Sequence, residues 1–228
     1  MLLTRARQIA LLARPTARAM SWQPLLWAAV LAIAYVMKEA TDGLVDYRIL
    51  VLRVGALMIC MGAAFAVDDP TEDTLGHVPA PLVMRRGVRL VLLLPFIAVI
   101  WMTLLRFVGD VPKRAGGPLP VGDLTLEAAA LLLLALSAAC LGARFTSDRL
   151  GGIAAAPIVL GLVALALFLP PEYRLIVSIT DPRWKDAHEV WRVVLAAAAI
   201  SFLYLNRSPG SYRTMSRLRA LKPAARTI

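Results

Sequence analysis

The chain has 228 residues, is 59% hydrophobic and 18% charged, and carries a formal net charge of +10. Soluble domains are about 45–50% apolar and about 25% charged, and a domain this small has no way to bury helices that are apolar all round, which excludes a soluble globular fold. Two histidines far apart and two cysteines without CxxC or metal-ligand spacing argue against a Cys/His zinc site.

In the first twenty residues, Leu2, Ala6, Ile9 and Ala13 form one helical stripe, with Arg7, Arg14 and Arg18 roughly opposite. This is the pattern of an amphipathic helix lying on a membrane surface. The apolar run 9–13 is too short for a signal peptide, and Pro15 and Arg18 keep it from extending. Six apolar blocks come next, each close to the roughly 20 residues that cross a bilayer as a helix. They cover about 24–37 (extendable to 21–40), 44–67, 88–107, 124–143, 150–169 and 190–205. The expected fold is therefore all-α: a polytopic membrane protein with six transmembrane helices over 21–206. An N-terminal interfacial helix over 1–20 and a basic tail over 207–228 flank them.

Six spans put both termini on one side. That side collects Arg5, Arg7, Arg14 and Arg18, then Arg85, Arg86 and Arg89, then Arg144 and Arg149, and finally the arginine-rich tail. The opposite face is near neutral, because acids accompany its basic residues. By the bias of Lys and Arg towards the cytoplasm, both termini are expected inside. The same placement accounts for the positive charge, so nucleic acid is not an expected partner and membrane lipids are. The connection over 170–189 then lies outside. Its PPEYRLIVSI is semi-apolar, Asp181-Pro182 offers a helix start, and Trp184 and Trp191 suit an interfacial belt.

Inside the spans, Cys60 and Cys140 read as small core residues. Ala135, Ala139 and Ala143 at i+4 spacing, and Gly55 and Gly62, permit close helix approach. Pro95 and Pro157 are candidate kink sites. Arg53 is an ionisable group at membrane depth. Three readings stay open for it: an ion pair with Asp46 or Glu39, a place on a translocation path, or snorkelling to the nearer headgroups. Glu127 is expected at the interface.

The stretch VDDPTEDTLGHVPAPLVMRRG, between spans two and three, is the best-punctuated polar element in the chain. Asp69 suits an N-cap, Pro70 the first helical position, and Glu72 completes a capping box, while Glu72 and Asp73 complement the helix dipole. Gly76, Pro79 and Pro81 stop it. A short helix of about two turns is expected within a cytoplasmic loop over about 68–88, with Arg85, Arg86 and Arg89 anchoring the next span. A connection with no other task would not need such caps.

Six spans, a basic interfacial N-terminal helix and EDTLGHVPAPLVMRRGVRLVLLLP after span two together resemble the permease subunit of ABC-2 type ABC transporters. The resemblance implies that Thr74, Leu75, Val78, Pro79, Arg85 and Arg86, with the capping residues Asp69, Pro70, Glu72 and Asp73, form a coupling helix that fits a groove on an ATPase subunit. It implies an exporter of amphiphilic or hydrophobic cargo in a bacterial plasma membrane, built with a second permease copy or homologue. No GxxxxGK[ST] pattern occurs, so no cofactor is expected on this chain; ATP and Mg belong to the partner P-loop ATP-binding subunit. The chain itself is not expected to be an enzyme. Two other readings remain. One is a secondary transporter or channel; the other is a membrane enzyme using the acids Asp68, Asp69, Glu72 and Asp73.

Overall fold

The computed structural model describes residues 17–18, 20–39, 44–68, 82–110, 118–145 and 151–206. Their regular structure is helical, with α1 over Gln23–Glu39, α2 over Val45–Ala64, α3 over Leu82–Gly109, α4 over Val121–Phe145, α5 over Gly151–Phe168 and α6 over Trp184–Asn206. Single 3₁₀ turns at Phe65–Val67 and Pro171–Tyr173 follow α2 and α5. Five of the helices, all but α1, are long and apolar enough to cross a membrane. α1 has 17 residues, about 25 Å at 1.5 Å per residue, and runs against α2. Most of the expected interfacial N-terminal helix, the coupling residues from Asp69 to Pro79 and the basic tail fall outside the described residues.

Two spans begin well before their expected limits. α3 begins at Leu82, so Arg85, Arg86 and Arg89 lie inside its first turns rather than ahead of it. α6 begins at Trp184, which shortens the preceding connection to 170–183. The Asp-Pro start opens α6 itself: the Asp181 carboxylate accepts from the Arg183 amide, and the Asp181 carbonyl accepts from the Trp184 amide at the first residue of α6. Hydropathy falls at these helix ends because Arg, Lys, Asp and His sit there, yet a helix has every reason to continue through a headgroup layer.

α4 is the centre of the bundle. It packs most extensively on α6, α5 and α2, and Ala130, Ala135, Ala139 and Cys140 on it are fully covered. Small residues set the spacing. A Cβ on Gly142 would lie 2.4 Å from that of Ala154, and one on Gly151 would lie 2.3 Å from the Ala139 carbonyl oxygen. On the other flank a Cβ on Gly62 would lie 2.5 Å from that of Ala28. Ser137 donates to the Ala198 carbonyl at 3.1 Å, tying α4 to α6. Pro95 and Pro157 lie within continuous helices. By contrast, much of α3, α5 and α6 presents exposed Val, Leu, Ile and Phe, as a lipid-facing surface would.

Candidate functional site

Polar groups gather at two levels of the bundle. The first lies near the end that carries the 170–183 connection. Arg53, in the middle of α2, meets Glu127 of α4 in a two-pronged pair, with Nε at 2.7 Å from Oε2 and Nη2 at 2.6 Å from Oε1. Its third nitrogen, Nη1, donates to the Val177 carbonyl at 3.0 Å. His188 of α6 brings Nε2 to 3.1 Å from Glu127 Oε1, while its Nδ1 lies 2.7 Å from the Trp184 carbonyl. Since a carbonyl only accepts, Nδ1 is the donor. Trp184 completes the group. Its ring lies 5.6 Å from the Arg53 guanidinium carbon, 4.4 Å from the His188 ring, and its Nε1 donates to Asp123 at 2.8 Å.

The Arg53, Glu127 and His188 side chains are only 13%, 4% and 3% exposed. A planar fork matched to a carboxylate is the arrangement best able to offset the loss of water around both ions. Glu127, near a span end, is thus turned inward onto Arg53 and His188 rather than outward to headgroups. Nor does Arg53 pair with Asp46 or Glu39: Asp46 accepts from Ser178 and the Ile179 amide, and Glu39 accepts from Tyr47. His188 gave no signal in the sequence beyond its being one of two histidines. The i+4 spacing of Trp184 and His188, which puts both on one helix face, was the only clue.

Arg48 was also missed. It is 1% exposed in the first turn of α2, with Nη1 3.4 Å from the Val108 carbonyl near the end of α3. Among the described residues its Nε and Nη2 have no hydrogen-bond partner. The position favours a cation, because the C-terminal end of α3 is the negative end of that helix dipole.

The second level lies at the other end of the bundle. Asp68 follows the 3₁₀ turn after α2, and both its carboxylate oxygens accept from the Gly152 amide, at 3.0 and 3.2 Å. This places a carboxylate at the N-terminus of α5, where unpaired amides and the helix dipole favour it. Arg89 donates to the Asp68 carbonyl at 2.8 Å. Arg86 donates to Asn206 at 3.0 Å, and Arg144 to the Leu205 carbonyl, both at the end of α6. Burial pushes the Asp68 carboxyl above its usual range; the Gly152 and Gly151 amides, then Arg86 and Arg89, pull it partly back.

That balance separates two substitutions. Asp68→Asn keeps an oxygen for the Gly152 amide without a buried charge, and is expected to leave thermal stability in detergent close to the parent's. Asp68→Ala removes the acceptor and is expected to cost about 1 kcal/mol, as loss of a helix cap does. Equal losses in both would show that the charge itself holds the contact.

Among the expected coupling residues, Asp69, Pro70, Glu72, Asp73, Thr74, Leu75, Val78 and Pro79 lie outside the described residues. Arg85 is placed within α3, with nothing described of its side chain. Arg86 is brought to the α6 terminus. Among the described residues no group of three or more His, Cys, Asp or Glu is arranged to hold a metal ion. No protein-family model, curated protein or solved structure matches the chain.

Proposed function

We propose that the chain is the permease subunit of an ATP-driven ABC-2 type exporter. On this reading six spans, α1 included, cross a bacterial plasma membrane with both termini in the cytoplasm. They move an amphiphilic or hydrophobic substrate with the help of a separate P-loop ATP-binding subunit and a second permease copy or homologue. The observation that carries the reading is how the 69–81 segment is mounted. At one end, Asp68 is fastened to the start of α5 and to Arg89 of α3; just past the other, Arg86 is fastened to the end of α6. A push delivered between those two flanks by a soluble motor would reach α2, α3, α5 and α6 together.

The test is co-purification with a P-loop ATPase, before and after deletion of residues 70–82. The deleted chain is expected to insert and fold, yet to lose the ATPase. If assembly and ATP-dependent transport both survive the deletion, the coupling assignment is wrong.

One observation favours a second reading, a transporter driven by an ion gradient. Charged groups buried in membrane helices commonly mark ion or substrate pathways, and Arg53, Glu127 and His188 form such a group. Gradient-driven transport by the purified chain without an ATPase would decide for it.

A further inference from the structure

The connection over 170–183 is tied down in an uneven way. Its middle, Val177, is buried, at 5% exposure, and the carbonyl of that residue accepts from Arg53 Nη1. Immediately afterwards, Ser178 Oγ and the Ile179 amide both donate to one oxygen of Asp46, at 2.6 and 3.1 Å. Two residues before it, the Leu175 carbonyl accepts from Trp191 Nε1 at 3.1 Å. The segment thus lies as a strap from α5 to α6, joined to α2 by Arg53 and Asp46. Prolines stiffen both of its ends, Pro170 and Pro171 at one and Pro182 at the other. At the Pro182 end, the Arg183 guanidinium and amide hold the Asp181 carboxyl below its usual range, which fixes the turn into α6.

The ties differ in their access to water. Arg53 is occupied by Glu127 on its other edge, so the Val177 bond is one of three made by a guanidinium already held in place. The Asp46 tie is exposed, and water competes for exposed hydrogen bonds, which leaves them weak on balance. The strap meets the cluster at Arg53, and its most exposed fastening is its most breakable one.

We propose that the 170–183 strap is a lid over the Arg53–Glu127–His188 cluster, latched to α2 by the Asp46 carboxylate. The purpose of the lid rests on the transport reading: cargo leaving the bundle at this end would have to pass it. Its movement does not rest on the ATPase, and is measurable on this chain alone.

The experiment uses the full chain in proteoliposomes with Cys60→Ala, Cys140→Ala and Val177→Cys, and follows modification by a charged, water-soluble thiol reagent. Residue 177 is expected to react slowly in this parent. Asp46→Ala is expected to raise the rate at least tenfold. Asp46→Asn keeps an acceptor for both Ser178 and Ile179 and is expected to react as the parent does, which separates loss of the latch from general loosening. In a second chain, with the native Val177, Asp46→Cys and Ser178→Cys are expected to form a disulfide on mild oxidation and to slow amide hydrogen exchange over 175–180. Equal labelling rates for Asp46→Ala and the parent would overturn the lid. So would a disulfide that forms without changing exchange, since a strap already fixed has nothing to lose. A lid that passes these tests in a chain that captures no ATPase would leave the lid standing and remove the ATP-driven reading.

Discussion

Arg53→Leu is expected to destabilise the bundle by about 3–5 kcal/mol, the usual cost of removing one member of a buried ion pair and stranding the other. Glu127 would keep only the His188 contact at 3.1 Å, and the Val177 carbonyl would lose its donor. The measurement is reversible unfolding in mixed micelles, followed by tryptophan fluorescence. Removing both charges, Arg53→Leu with Glu127→Leu, is expected to recover much of the loss, because no buried carboxylate is then left uncompensated. A double variant as unstable as the sum of the two singles would show that the groups act independently, and the pairing would carry no weight.

Gly151→Val is the second large effect. Its Cβ would stand 2.3 Å from the Ala139 carbonyl oxygen and 3.1 Å from the Ala143 Cβ. The first obstacle is backbone, so no rotamer change relieves it, and α4 and α5 must separate at that end. Overpacking of this kind costs about 1–3 kcal/mol, and here it also moves the Gly152 amide that holds Asp68. Gly161 on the same helix is the control, since a Cβ there meets nothing within 4 Å. Gly161→Ala is expected to be neutral, or stabilising by up to about 1 kcal/mol through helix propensity. If both variants unfold at the parent temperature, the close approach of α4 and α5 is not what positions α5.

Much of the helical architecture is legible in the sequence because a bilayer imposes a single length on its spans. Apolar blocks of about 20 residues mark α2, α4 and α5 to within about three residues at each end, and the block at 24–37 marks α1. The ends are less legible where charged and aromatic residues continue a helix beyond its apolar stretch, as at Arg85–Arg89 and at Trp184–His188. The ionic cluster was legible only by half. Arg53 stands out by itself, but the acids nearest in sequence are not its partners. Glu127 is 74 residues away, and only the rotation of α4 about its axis turns that carboxylate inward. Asp68 reads in the sequence only as one of four clustered acids; its contact with Gly152 spans 84 residues and has no local signature. Of the coupling residues, all but Arg85 and Arg86 fall outside the described part of the chain.

The distance in sequence between Arg53 and Glu127 has a consequence for biogenesis. At about 5–20 residues per second, a ribosome needs several seconds to make the 74 residues that separate the cation from its acid. Through that interval α2 has an unneutralised guanidinium. A nascent chain ending before residue 121 would lack the acid that answers it, and would be a substrate for quality-control proteolysis rather than a stable intermediate.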